Sequence, residues 1–121
     1  ITSIALPCLE TVPDSVFINA NDQLTSFEAP KLESARVFEV AHNDRLTEVS
    51  VPSLGSTSED FYIRWTISLS TLEGFPSLTA VGENLLIEDN FSICQTEAEA
   101  FVAGVDVGGS SRANENYGDC E

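Results

Sequence analysis

The stretch Asn43-Asp44-Arg45-Leu46-Thr47-Glu48-Val49-Ser50-Val51-Pro52-Ser53-Leu54 decides the fold, because versions of it recur along the whole chain. Related copies occupy residues 21–32 and 66–78, and shorter copies occupy residues 1–9 and 90–93. Their leucine or isoleucine anchors stand 22 to 24 residues apart. A repeat of this length is typical of a solenoid, in which each turn of chain packs on the next. The anchors are Ile1, Leu24, Leu46, Leu69 and Ile93.

Two apolar positions, with a variable position between them, precede each of the last four anchors. This period of two predicts a short strand with one buried face in every turn. A proline follows in each of the first four copies and marks a corner, because proline cannot donate to a strand ladder. The apolar pairs are Val16 and Ile18, Phe38 and Val40, Phe61 and Ile63, and Leu85 and Ile87.

A polar residue stands three positions before each of these anchors: Asn21, Asn43, Thr66 and Asn90. A side-chain amide pointing inward can bond the backbone of neighbouring turns, so we predict a structural ladder along this column. Asn90-Phe91-Ser92 also forms a glycosylation sequon. We expect it to stay unmodified if the Asn90 amide lies inside the ladder.

The repeat ends in a segment with helical character. Residues 94–104 predict a helix that starts with Thr96 as N-cap and Glu99 completing a capping box, and Gly104 ends it. A solenoid needs an atypical terminal unit, so we predict a helical cap over residues 94–107. Residues 108–121 are expected to form a polar tail.

The order of these motifs resembles the receptor L-domain, a leucine-rich β-helix module of growth-factor receptor ectodomains, in its shorter secreted microbial form. The resemblance runs from Ile1 to Val107 and includes Val81-Gly82-Glu83-Asn84-Leu85 and the Cys94 that follows Ile93. It implies a right-handed parallel β-helix of extracellular type, whose ligands contact an outer sheet face. We therefore predict a single all-β domain, residues 1–121, with about four turns over residues 1–93.

Composition restricts the partners. The 121 residues carry a formal net charge of -15, with 20 acidic and 5 basic residues. Without a basic patch to neutralise phosphates, we expect neither nucleic acid nor an anionic membrane as a partner. The sequence contains no run of 18 apolar residues, so we expect no membrane insertion. Three cysteines suit an oxidising compartment, and a first residue other than Met is compatible with a removed secretion signal. We expect an extracellular or cell-surface location.

The cysteines predict one disulfide and one spare thiol. Cys94 opens the predicted helix and Cys120 ends the tail, so a Cys94–Cys120 bond would hold the tail against the cap. Cys8 takes the place of Lys31, Ser53 and Ser77 in the other copies, an exposed corner position. A buried free thiol is the alternative for Cys8.

Catalytic chemistry is not indicated by the sequence. His42 is the single histidine and has no nucleophile elbow near it, so we interpret it as a solvated turn residue. Asp22, Asp44 and Asp89 fall in turns of separate copies and do not predict a shared acid–base pocket. A calcium role for them is the open alternative. We expect no enzyme activity and no cofactor.

The outward positions of the predicted strands are unusually apolar. Phe17, Tyr62 and Leu86 should lie side by side there, with Arg64 and Trp65 next to them, and such a patch is typical of an interface. The alternative is that a loop or the tail covers this face.

Two functions follow from these expectations. The first is a structural building block of a cell-surface or fibrous assembly, in which the open first turn around Ile4 and Leu6 contacts another copy and Cys8 locks the contact. The second is a receptor-like domain that binds another extracellular protein or a glycan on its sheet face.

Overall fold

The computed structural model describes residues 2–120, which form a parallel β-solenoid of about five turns with one helix. The predicted all-β solenoid is thereby confirmed, although the chain has about one turn more than the sequence suggested. Ile1, the first predicted anchor, and Glu121, the end of the predicted tail, lie outside the described residues.

Each turn runs through one side of the solenoid, bends, and returns through the other side. In chain order the elements are β1 (Ser3–Ala5), β2 (Thr11–Asn19), β3 (Ser26–Glu28), β4 (Ser34–Ala41), β5 (Glu48–Ser50), β6 (Ser56–Thr57), β7 (Phe61–Arg64), β8 (Ala80–Val81), β9 (Leu85–Asn90), α1 (Gln95–Ala103), β10 (Asp106–Val107) and β11 (Ser111–Asn116).

The strands form two parallel sheets. Sheet A has the order β1-β3-β5, and sheet B has the order β10-β8-β6-β4-β7-β9-β11, with β2 pairing β4. The long strand β4 pairs β6 through its first half and β7 through its second half. In the later turns of sheet B, one long strand is therefore replaced by two short ones.

The segments that follow β8 and β10 in sheet B depend on glycine. A Cβ placed on Gly82 would lie 2.0 Å from the carbonyl oxygen of Ser58, and one on Gly108 would lie 2.3 Å from that of Gly82. Since real Cβ contacts are never this short, only glycine lets the stacked turns approach at this corner.

Apolar side chains fill the space between the two sheets. Phe38 and Phe61 stack with ring centroids 5.4 Å apart, and Phe75 meets both rings edge-on. Phe101 of α1 joins them, with its centroid 6.1 Å from Phe61 and 6.2 Å from Phe75. The helix therefore takes the place of a sheet A strand in the fifth turn and is anchored in the shared core.

The predicted ladder lies at one corner of every turn and is built from side-chain amides, except in the third turn, where Thr66 takes the position. Asn43 Oδ1 accepts from the backbone N–H of Asn21 at 2.8 Å, while its Nδ2 donates to the carbonyl oxygens of Ile18 and Ala41. Asn43, Thr66 and Asn90 are fully buried, but Asn21 in the first turn is exposed. The ladder is thus internal from the second turn onward.

The same bonding pattern repeats one ladder position after another. Asn90 Oδ1 accepts from the backbone N–H of Thr66 at 3.2 Å and from its hydroxyl at 2.8 Å, and Asn90 Nδ2 donates to Ile63 O at 3.0 Å. The Asn90 amide is therefore inside the ladder and inaccessible for glycosylation.

Residues 108–121 are not simply a polar tail, because they contain β11. This strand pairs β9 in parallel register and brings Asn116 opposite Asn90. Asn116 is buried, accepts from Asn90 Nδ2 at 2.9 Å, and donates to Ile87 O at 2.8 Å. It is the fifth member of the ladder.

Gln95 ends the ladder, because its side-chain amide makes the hydrogen bonds that an asparagine of a further turn would make. Its Oε1 accepts from the backbone N–H of Asn116 at 3.2 Å and from Asn116 Nδ2 at 2.9 Å. Its Nε2 donates to Ala113 O at 2.7 Å, three residues before Asn116, as each ladder amide does to the turn before it. The corner of the last turn is therefore satisfied without another turn.

The predicted capping box at Thr96 and Glu99 is wrong. The N-cap is Cys94, with extended backbone and no side-chain cap hydrogen bond. Glu99 accepts instead from Gln95 Nε2 at 2.9 Å. The helix begins at Gln95, one residue before Thr96, and the Gln95 side chain faces the ladder.

The predicted disulfide is present between Cys94 and Cys120, and Cys8 is free and exposed. The bond joins the residue before α1 to the residues that follow β11, so it holds the fifth turn closed. Cys8 lies in the first turn and is therefore remote from this disulfide along the solenoid.

The ladder predicts a sharp contrast between two asparagines in one column. Asn90→Ala removes the partners of Ile63 O and the Thr66 N–H inside the protein, so we expect the free energy of unfolding to fall by about 3 kcal/mol. Asn21→Ala removes an exposed bond to Asn19 O and should cost less than about 1 kcal/mol. Urea denaturation of both variants measures the contrast, and equal losses would contradict an internal ladder.

Candidate functional site

The outer face of sheet B, formed by its solvent-facing side chains, carries the residues that the sequence singled out. Strand register places one outward residue of each turn in a row across the sheet. The first row contains Phe17, Glu39, Tyr62, Leu86 and Arg112. The second row contains Asn19, Ala41, Arg64, Glu88 and Asn114.

The register corrects one expectation about this face. Tyr62 and Leu86 are direct neighbours, but Glu39 lies between Phe17 and Tyr62, so the three apolar residues do not form one patch. Phe17 is 60% exposed, and Tyr62 and Leu86 are half-buried. The segment after α1 enters the solenoid as β10 and β11 and does not fold over these side chains.

Arg64 is the centre of the face. Its guanidinium carbon lies 4.6 Å from the ring centroid of Tyr62 and 4.9 Å from that of Trp65. Its nearest carboxylate oxygen, on Glu39, is 3.6 Å away, and its buried Nε has no hydrogen-bond partner among the described residues. Aromatic rings therefore position this cation more than hydrogen bonds do, and it keeps donors for another group.

Trp65 has a backbone conformation that is rare for a large side chain. Its φ is 53°, and the His42 φ is 58° at the equivalent place of the turn before. The two rings stack with centroids 4.8 Å apart and an angle of 24° between their planes. His42 is thus exposed, as expected, but it supports Trp65 instead of being an isolated turn residue.

Every ladder residue follows such a left-handed residue. Within residues 2–120, the non-glycine residues with positive φ are Ala20, His42, Trp65, Asp89 and Glu115. This conformation costs roughly 1 kcal/mol or more for each of these residues. In the sequence, the ladder column is the signal for this conformation, because the residue before each ladder position can be identified from it.

Ion pairs across neighbouring strands order the rest of the face. Arg36 contacts Asp14 at 2.5 Å and Glu59 at 2.8 Å, so it bridges the turn before and the turn after its own. The hydrogen bond from Arg36, together with its charge, holds the pKa of Asp14 below its ordinary value. Arg112 pairs with Glu88 at 3.1 Å. These exposed pairs set side-chain positions more than they stabilise the fold.

Carboxylates converge at the end of the face nearest the last turn. Asp89 and Glu115 occupy equivalent left-handed positions in the fourth and fifth turns. A hydrogen bond with Asp89, and then the charge of Asp89, raise the pKa of Glu115. Burial, and then the charge of Glu115, raise the pKa of the nearby Tyr117 hydroxyl.

The described residues 2–120 contain no group of three or more His, Cys, Asp or Glu side chains arranged to hold a metal ion. Asp22, Asp44 and Asp89 belong to separate turns, as the sequence indicated. Calcium binding by these three residues therefore has no support from the arrangement.

The chain was compared with family models, with curated proteins and with solved structures, and none of them matches it. Within the described part of the chain, no helix has the length and apolar character needed to cross a membrane.

The Asp89–Glu115 pair predicts a pH effect on the last turn. Because the folded pKa of Glu115 is raised above its ordinary value of 4.5, its stabilising contribution is present below that value. The contribution is lost as the pH rises through the higher folded pKa. We expect hydrogen-exchange protection of the β11 amides to decrease from about pH 4 to about pH 7.

Glu115→Gln should flatten this pH dependence, since a neutral amide cannot repel Asp89. Glu33→Gln, which changes an exposed glutamate next to β4, is the matched control and should leave the β11 profile as in the unaltered protein. A profile in Glu115→Gln that matches the control would show that the pair does not act on β11.

Proposed function

We propose that the chain is a non-catalytic extracellular module that acts through contacts made by the outer face of sheet B. The observation that carries this proposal is the cluster of Tyr62, Arg64 and Trp65, with His42 stacked beneath the indole. Tryptophan, tyrosine and arginine are the residue types that dominate binding energy at interfaces. Their ordered packing lowers the entropy cost of binding a partner.

The charge distribution supports the same surface. The chain has 20 acidic and 5 basic residues, yet Arg36, Arg64 and Arg112 all lie on sheet B. Each pairs with a carboxylate of a neighbouring strand, so this face is less acidic than the remaining surface. A less acidic, aromatic surface on a strongly acidic protein suits contact with another molecule.

Extracellular placement is supported by the Cys94–Cys120 bond, since structural disulfides persist in oxidising compartments. The resemblance to the receptor L-domain supports a binding role of the same kind, because it implies ligand contact on an outer sheet face. The right-handed sense of the solenoid and the membership of that family are part of this proposal.

Two roles are compatible with such a surface. A receptor-like role, in which sheet B binds a protein or glycan, is supported by the Arg64 cluster and by Gln95, which closes the last turn. A structural role in a cell-surface or fibrous assembly is supported by the first turn, where Leu6 and Cys8 are exposed. The Arg64 cluster makes the receptor-like role the better supported of the two.

Tyr62→Glu tests the outer face directly. The variant places a carboxylate beside Arg64 and removes the ring that positions it, so we expect at least a tenfold loss of association or ligand affinity. Ser26→Glu is the matched control, because it adds the same charge to a strand of sheet A. Urea denaturation should show that both variants remain folded.

Two measurements distinguish the roles. Sedimentation velocity of the unaltered protein should give a large polymer for the structural role and a monomer for the receptor-like role. Binding to an array of immobilised polysaccharides then tests a glycan ligand. If Tyr62→Glu and Ser26→Glu behave alike in both measurements, the outer face of sheet B is not the contact surface.

A further inference from the structure

A second exposed apolar surface lies beyond the ladder corner, outside the face described above. The residues that directly follow the ladder members of the third, fourth and fifth turns are Ile67, Phe91 and Tyr117. Their exposed fractions are 44%, 61% and 61%. We call these three residues the corner strip. Single exposed apolar residues are common, but three in consecutive turns form a contiguous patch.

The positions of the corner strip are fixed by the stacking of the turns. The backbone N–H of Phe91 donates to Thr66 O, and that of Tyr117 donates to Asn90 O, each at 2.9 Å. The rings of Phe91 and Tyr117 lie 6.1 Å apart at an angle of 34°. Because the flanking ladder residues are buried, this surface is ordered before any partner arrives.

The same column becomes acidic in the first two turns. Asp22 follows Asn21, and Asp44 follows Asn43, and both aspartates are exposed. Neither forms a salt bridge within residues 2–120. Asp89 and Glu115 flank the apolar end from the column on the other side of the ladder. A hydrogen bond between them, and then the charge of Asp89, raise the pKa of Glu115.

We propose that the corner strip binds an amphipathic helix of a partner protein. The apolar side chains of that helix would pack against Ile67, Phe91 and Tyr117, and its basic side chains would lie near Asp44 and Asp22. This interaction goes beyond the proposed function of sheet B and uses a different surface. The acidic end of the column supplies the charge complementarity. A basic group there also offsets repulsion among carboxylates that the protein itself leaves unpaired.

The spacing of the turns favours a helix over an extended segment. Neighbouring parallel strands lie about 4.8 Å apart, so equivalent residues of successive turns have this separation. Side chains three or four residues apart on a helix are about 5–6 Å apart, which is close to this spacing. Alternate residues of a strand are about 6.6 Å apart and would lose register over five turns.

Other partners fit the column less well. Anionic membranes and nucleic acid are repelled by the flanking carboxylates. A second copy of this chain would bring another net charge of -15 to an already acidic surface. A glycan would find rings in the fourth and fifth turns, but Ile67 offers no flat face to a sugar in the third.

The test uses a synthetic helical peptide of about 14 residues, built from Ala, Leu and Lys, which would span the five turns. Its Leu side chains form one stripe in the first half, and its Lys side chains continue the stripe in the second half. A scrambled peptide of the same composition separates shape from charge. Isothermal titration calorimetry on the full chain should show micromolar affinity for the striped peptide and at least tenfold weaker affinity for the scrambled one.

The double variant Phe91→Ser, Tyr117→Ser should weaken binding of the striped peptide at least tenfold. The matched control is Leu6→Ser, which removes an exposed apolar side chain of the first turn outside both surfaces. Asp22→Asn with Asp44→Asn should weaken binding several-fold and reduce its salt dependence. Urea denaturation of each variant separates loss of binding from loss of folding.

Several outcomes would overturn the proposal. One is that the unaltered protein does not bind the striped peptide, and another is that it binds the scrambled peptide equally well. A third is equal affinity of the double variant and Leu6→Ser. A concentration-dependent dimer that the double variant abolishes would identify a second copy as the occupant instead.

Discussion

The asparagine ladder is the interaction on which the rest of the structure depends. At the corner of each turn the chain leaves the sheet, so backbone groups there lose their strand partners while they are still buried. An asparagine amide carries both a donor and an acceptor, so one side chain can satisfy the N–H and the C=O of the neighbouring turn. Asn43 and Asn90 use their amides in this way. Asn116 donates to the backbone in the same manner, but its Oδ1 accepts from the Asn90 side chain.

The ladder also determines which side chains reach the surface. To point its amide inward, each ladder residue follows a residue with φ between 53° and 60°. Because the ladder side chain points inward, the side chains on either side of it point away from the core. Trp65 and Ile67 around Thr66 are therefore exposed, while next to Asn90 Phe91 is exposed and Asp89 is half-buried. Both candidate surfaces follow from one backbone constraint.

The sequence was sufficient for the fold where apolar residues repeat with a fixed period. The buried pairs before the anchors, the ladder and the Cys94–Cys120 bond could all be predicted from spacing. The fifth turn could not, because the small residues Ser111 and Ala113 stand in register with Leu85 and Ile87, where the earlier turn has large apolar side chains. Small residues suffice there, since α1 and Phe101 already fill the core.

The candidate site was only partly predictable for a related reason. Tyr62, Arg64 and Trp65 stand together in the sequence, and their exposure follows from the strand period. Glu39 and His42 come from the turn before, and their contacts with Arg64 and Trp65 depend on strand register and on a left-handed backbone. Periodicity identifies which face a side chain lies on, but it does not give the neighbour that it contacts across the sheet.

The two ends of the solenoid differ in a way that bears on assembly. At the last turn Gln95 already occupies the positions that a further asparagine amide would use, and the disulfide ties the chain beside it. A copy stacked on that end would have to displace these bonds and leave the backbone N–H of Asn116 without the Gln95 acceptor, at a cost comparable to that of an unsatisfied buried group. Lateral contact through sheet B or through the corner strip requires no such rearrangement. The physics of the ladder thus favours association along the sides of the solenoid over growth from its last turn.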